Sequence, residues 1–132
     1  MTLIYYKRIN FDFNFEIKRI NKYMNQLINN PEYLLVKLVG NKYCDKKPSS
    51  KDTKLIFKYE KNNPHDPNAM KVYSKRDEQL LSLGYIERTK NIYLKSLMKN
   101  QSIKYKTIIQ KKEYDEIEYY IVFKLKKNCV EV

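Results

Sequence analysis

Lys54-Leu55-Ile56-Phe57-Lys58-Tyr59-Glu60-Lys61-Asn62-Asn63-Pro64-His65-Asp66-Pro67-Asn68-Ala69-Met70-Lys71-Val72-Tyr73 is the stretch on which the fold turns. Leu55, Phe57 and Tyr59 recur at every second position, the period of a half-buried strand. Residues 62–69 then mix prolines, which fix φ, with Asn and Asp side chains that bond to nearby backbone. Met70 to Tyr73 resumes an extended pattern. Strand, rigid loop and strand together predict an antiparallel pair.

The same period extends in both directions. Residues 32–43 (EYLLVKLVGNKY) are apolar on nearly both faces, as in a buried strand, and a polar loop over 46–52 joins them to the pair. Downstream, Lys75 to Glu78 turns, and Leu81, Leu83 and Tyr85 alternate through another strand. Residues 88–100 suit a helix, with Ile92, Leu94, Leu97 and Met98 apolar. In the long strands that follow, Ile103, Tyr105, Thr107 and Ile109 share one face of the first. Ile117, Tyr119, Ile121, Phe123 and Leu125 share one face of the second, after a hairpin turn at 113–116. At the other end, residues 3–13 read as a strand. Asn14 then caps an amphipathic helix on Ile17, Ile20, Met24, Leu27 and Ile28, which stops at Asn29-Asn30-Pro31. The expected fold is mostly β: a small antiparallel barrel of six or seven strands with two α-helices, one in an N-terminal extension.

Composition limits the function classes. A chain of 132 residues is one domain by length, able to bury about two-thirds of its unfolded surface. Lys+Arg 27 against Asp+Glu 15 leaves a net charge of +12, which attracts polyanions. With 42% hydrophobic and 14% aromatic residues the chain is not of disordered type. No apolar run reaches the roughly 18 residues of a bilayer span, and the first cations follow the first apolar stretch, the reverse of a signal peptide. An intracellular protein, in cytoplasm, nucleoid or nucleus, is expected, with no membrane contact. Tyr supplies 13 aromatics and Trp none, so the aromatic surface can stack and hydrogen-bond together. Glycine occurs only 2 times, at Gly40 and Gly84, where average usage predicts about nine; each is therefore expected at a position other residues cannot fill.

Catalytic signatures are absent. His65 is the single histidine, and Cys44 and Cys129 form no CxxC, which excludes a structural zinc site and leaves no metal or cofactor to expect. Asp12, Glu16 and Lys18 echo a metal-dependent nuclease superficially, but a charged helix face explains them. The chain is expected to be no enzyme. A binding pattern remains. Asn62, Asn63, His65 and Asp66 occupy one rigid loop, where their side chains either cap backbone amides between two strands or meet a ligand. Tyr43 and Tyr85 pose the same choice between filling a core and stacking on a base.

Three segments together resemble the HIRAN domain family: Val39-Gly40-Asn41-Lys42-Tyr43, then residues 58–73 with their Asn-Pro-His-Asp-Pro-Asn-Ala core, then Leu83-Gly84-Tyr85-Ile86-Glu87-Arg88. The likeness runs over about residues 33–126, and both glycines fall on family glycine positions. It implies an OB-like barrel over 32–132 with residues 1–31 as an extension packed on it. In fork-remodelling, helicase-like translocases this module grips the 3′ end of single-stranded DNA. Carried over, Tyr43 would stack on a terminal base with Lys42 on phosphate. Asn62 and Asn63 would contact backbone or base edges, and Asp66 would accept a hydrogen bond from the free 3′-hydroxyl. Tyr85 and Arg88 would serve phosphates from the opposite wall. Where the family often has Tyr before the aspartate, this chain has His65, a weaker stacking ring whose charge depends on pH. Tyr85 stands where end-binding members can carry His, Glu87 sets a negative charge beside Arg88, and the first 30 residues lie outside the likeness.

The resemblance implies a non-catalytic binder of single-stranded DNA, with any processing left to a partner helicase or nuclease; a monomer is the default expectation, and the sequence does not fix the oligomeric state. Two alternatives compete with it: a protein–protein adaptor docking through Ile17, Ile20, Met24 and Leu27, and a general strand-binding barrel for DNA or RNA without end recognition.

Overall fold

The computed structural model describes residues 3–7 and 30–126. The strands are β1 (Leu3–Lys7), β2 (Tyr33–Val39), β3 (Lys54–Tyr59), β4 (Met70–Arg76), β5 (Gln79–Ile86), β6 (Ile103–Glu113) and β7 (Glu116–Leu125); helix α1 spans Asn91–Lys99. They form a single antiparallel sheet in the order β1-β3-β4-β5-β2-β7-β6, with six strands inside 30–126 and β1 added at the β3 edge. The edge strands β1 and β6 approach each other, but no ladder joins them among the described residues, so the sheet is open where the sequence predicted a small OB-like barrel. One α-helix is present among the described residues; the helix expected over 14–29 lies outside them.

One face of the sheet carries the core. Leu55, Phe57 and Tyr59 of β3, as their period predicted, pack with Met70, Val72, Leu83, Ile86, Ile121 and Phe123. Each large side chain removed from water there contributes about 1.5–3 kcal/mol. Helix α1 covers this face with Leu94 and Met98, four residues apart, while Ile92 points outward and is exposed, against the sequence expectation.

Two interruptions of the ladder shape the rest. In β6 the register against β7 shifts between Tyr105 and Thr107, so Lys106 is an extra residue and the alternation inverts past it. Ile103, Tyr105 and Ile108 therefore share the main core, whereas Ile109 joins Val122, Tyr33, Leu35 and Tyr120 on the opposite face. The expected common face of Ile103, Tyr105, Thr107 and Ile109 is corrected by that one bulge. A second shift lies between Val72 and Tyr73, which pair with Gly84 and Ser82, so Leu83 is the extra residue in β5.

The polar loop before β3 holds a buried anchor. Asp52 is buried and accepts from Ser74 Oγ at 2.7 Å, Lys46 Nζ at 2.7 Å, the Ser49 amide at 2.9 Å and Arg76 Nη2 at 3.5 Å. Its own carbonyl accepts from the Tyr105 hydroxyl, tying the loop to β6.

Candidate nucleic-acid interface

Strand β2 was expected to run to Tyr43; it stops at Val39 because Gly40 adopts φ 69° and ψ 19°, the left-handed region that side chains disfavour. Asn41 to Tyr43 then form a 3-10 turn. The chain follows the edge of β5 by side-chain bonds in place of a ladder. Asn41 Nδ2 donates to the Leu83 carbonyl at 2.9 Å, the Ser82 amide donates to Asp45 Oδ2 at 2.9 Å, and the Lys46 amide donates to the Ser82 carbonyl at 3.2 Å. The Ser82 bonds hold the Asp45 carboxyl below its usual range. Gly84 makes this close approach possible: a Cβ there, at φ +154°, would lie 2.6 Å from Asn41 Nδ2 and 2.9 Å from the Val39 carbonyl oxygen. The turn so held presents Tyr43 to solvent at 83% exposure, with Lys42 Nζ 5.0 Å from the ring centroid. Tyr43 is thus no core residue.

At the base of this turn, Tyr85 pairs with Val39 and is half-buried, and its hydroxyl donates to Glu60 Oε2 at 3.4 Å. Burial first, then the Glu60 carboxylate, push the Tyr85 phenol up, so it stays protonated. Glu60 reaches the loop as well, accepting from Asn63 Nδ2 at 3.3 Å. Asn63 Oδ1 in turn accepts from the amides of His65 at 2.9 Å and Asp66 at 3.1 Å, ordinary Asx-turn chemistry that fixes the loop shape. The Asp66 carboxylate accepts from the Asn68 amide at 2.9 Å and from Asn91 Nδ2, on the first turn of α1, at 2.7 Å. A polar chain Tyr85–Glu60–Asn63–Asp66–Asn91 therefore ties β5, the loop and α1 together.

Asp66 still has acceptor capacity, since a carboxylate offers about four lone-pair sites and two are used here. Earlier in the same loop, Tyr59, Glu60, Lys61, Asn62, Asn63 and Pro64 line an open pocket of about 460 Å³, within the range of small-molecule sites; Asp66 is not part of its lining and is linked to it through Asn63. The hydroxyl of Tyr59 and Oδ1 of Asn91 are buried without a hydrogen-bond partner among the described residues. The His65 side chain is exposed near the loop tip, and Arg88 is exposed at the start of a 3-10 turn that leads into α1.

The profile of the HIRAN domain family matches residues 31–126. The chain belongs to the HIRAN family. No curated protein and no solved structure matches it.

Within the HIRAN domain, all three segments that carried the sequence resemblance meet at one end of the sheet. The structure joins Asn63, Asp66 and Tyr85 through one bonded chain and sets Lys42 and Tyr43 on the turn against β5. Asn62 lines the adjacent pocket. Glu87, a departure that set a negative charge beside Arg88, is used internally: Oε2 accepts from the Lys37 amide at 2.6 Å and Oε1 from Thr89 Oγ1 at 3.0 Å. Sequence reasoning missed Glu60 and Asn91, which hold Asn63, Tyr85 and Asp66 in place. Glu60 looked like the last polar residue of a strand, and Asn91 like an ordinary first-turn residue. Only the three-dimensional meeting of loop and helix distinguishes them.

Proposed function

We propose that this HIRAN domain is a non-catalytic module that binds single-stranded DNA and grips a free 3′-hydroxyl end at Asp66. The observation that carries the reading is the Asp66 carboxylate, half-buried with spare acceptor sites in the loop whose Asn62, Asn63 and Pro64 line an open pocket, in a chain of net charge +12. A carboxylate repels phosphate, so its place in a phosphate-binding groove makes sense when its partner is a hydroxyl donor. Tyr43 is the stacking platform, sequence-tolerant because every base has a π-face, and Lys42 and Arg88 supply salt-sensitive attraction to phosphates. His65 flanks the site from the loop tip, and Tyr85 forms the wall between the Tyr43 turn and Glu60. Processing of the bound end falls to a separate helicase or nuclease.

Asp66→Asn keeps the shape of the side chain but halves its acceptor oxygens. It should lower the preference for a 3′-hydroxyl over a 3′-phosphate strand from about tenfold to within about twofold, a loss near 1 kcal/mol. Fluorescence anisotropy with 5′-labelled strands reads this directly. An unchanged preference in the variant removes Asp66 from the recognition of the end. Competition by RNA of equal length tests the preference for DNA: equal competition makes the module a binder of single strands of either sugar.

A further inference from the structure

The outer face of β3, β4 and β5, opposite the core, carries a row of cations and rings that the end pocket does not use. Lys58 pairs with Lys71 across β3–β4, and Lys71 pairs with Tyr85 across β4–β5. Tyr73 lies between the lysines, its ring centroid 4.9 Å from Lys58 Nζ and 5.6 Å from Lys71 Nζ; Lys71 Nζ is also 5.6 Å from the Tyr85 ring. The result is an alternating series, Lys58, Tyr73, Lys71, Tyr85, that ends on a residue bonded to Glu60 of the pocket lining. All four side chains are half-buried, which limits the rotamer freedom lost on binding.

This row disagrees with what stability alone would select. Like charges directly opposite on adjacent strands are destabilising. Neither Lys58 nor Lys71 has a carboxylate within ion-pair distance among the described residues. Glu60, which also bonds Tyr85, and Asp45 act on Lys71 from beyond ion-pair distance. Cations without a direct carboxylate partner, spaced by aromatic rings, match a strand that alternates phosphate and base.

We infer that Lys58, Tyr73 and Lys71 form a track for the phosphodiester backbone and bases lying 5′ of the terminal nucleotide, so that a single strand runs from the site at Asp66 past Tyr85 and over the outer face of β3–β5. This rests on the proposed strand binding and adds the path of the strand beyond its end. The track sets length dependence, and the pocket sets end preference.

The test compares 5′-labelled oligothymidylates of roughly 4 and roughly 12 nucleotides, both with free 3′-hydroxyls, on the full chain across a salt series. The wild-type chain should bind the longer strand at least about tenfold more tightly. The double variant Lys58→Gln/Lys71→Gln should lose that advantage to within about twofold. Its salt slope for the longer strand should flatten by about 1.4, two phosphates at about 0.7 each. Binding of the short strand and the hydroxyl-to-phosphate preference should not change. Lys58→Arg/Lys71→Arg should retain the length advantage, and circular dichroism of both variants confirms that the sheet is intact. A double variant that keeps the advantage for the long strand overturns the track. So does one that weakens both lengths equally, since the lysines then belong to the end pocket. Failure of the wild-type chain to bind either strand removes the proposed function and the track with it.

Discussion

At the scale of single residues, Gly84 and Asp52 carry the clearest structural consequences. A Cβ at Gly84 meets a backbone oxygen at 2.9 Å, which cannot move without breaking the β2–β5 junction. Gly84→Ala should therefore destabilise the chain by about 2–3 kcal/mol and loosen the turn that presents Tyr43, measured as a lower urea midpoint together with faster amide exchange over residues 41–46. Asp52→Ala removes a buried carboxylate with four partners and should cost about 3 kcal/mol. Asp45 gives a dependence on pH. Its folded carboxyl ionises more readily than the unfolded one, so it contributes stability above the ordinary carboxylate range and loses it as pH falls through the lowered value. Asp45→Asn should flatten the acid limb of stability, read from urea midpoints between about pH 5 and pH 2.

At the scale of elements, periodicity located the strands and α1 well, because alternation and the helical repeat follow directly from which face is buried. Tyr59 and Phe57 faced the core as read, and the loop over 62–69 formed as a loop. What periodicity could not show were the places where the chain leaves the pattern. The exit of β2 at Gly40 depends on a bonding partner in β5 that is 42 residues away from Asn41 in sequence. The bulge at Lys106 leaves no mark in a run where Ile108 and Ile109 are both apolar, so either could face the core. The candidate site followed the same division. Asn62, Asn63, His65 and Asp66 were legible as a rigid polar loop, and the family resemblance singled out Tyr43 and Tyr85. The bonds from Glu60 and Asn91 join residues from separate elements, and nothing local to either residue announces them. Asn91→Ala should therefore weaken 3′-hydroxyl preference severalfold while leaving the salt dependence of binding intact, as seen by anisotropy, because Asp66 loses its helix-side donor.

At the scale of the whole molecule, the antiparallel sheet brings the β3–β4 loop, the end of β5 and the turn after β2 to one end and leaves the outer face of β3–β5 basic and aromatic. Among the described residues no helix is long and apolar enough to cross a membrane, and no cluster of His, Cys, Asp and Glu could hold a metal ion. Net charge of +12 gives attraction for any polyanion, so affinity alone does not identify the ligand. End preference does. The central claim is best tested by titrating the wild-type chain with a single labelled strand of about 10 nucleotides carrying a free 3′-hydroxyl, a 3′-phosphate or a blocked 5′ end, over a salt series. The account predicts steep salt dependence for all three strands, equal binding of the 5′-blocked and free strands, and about tenfold weaker binding of the 3′-phosphate. Equal affinity for the hydroxyl and phosphate ends would contradict it.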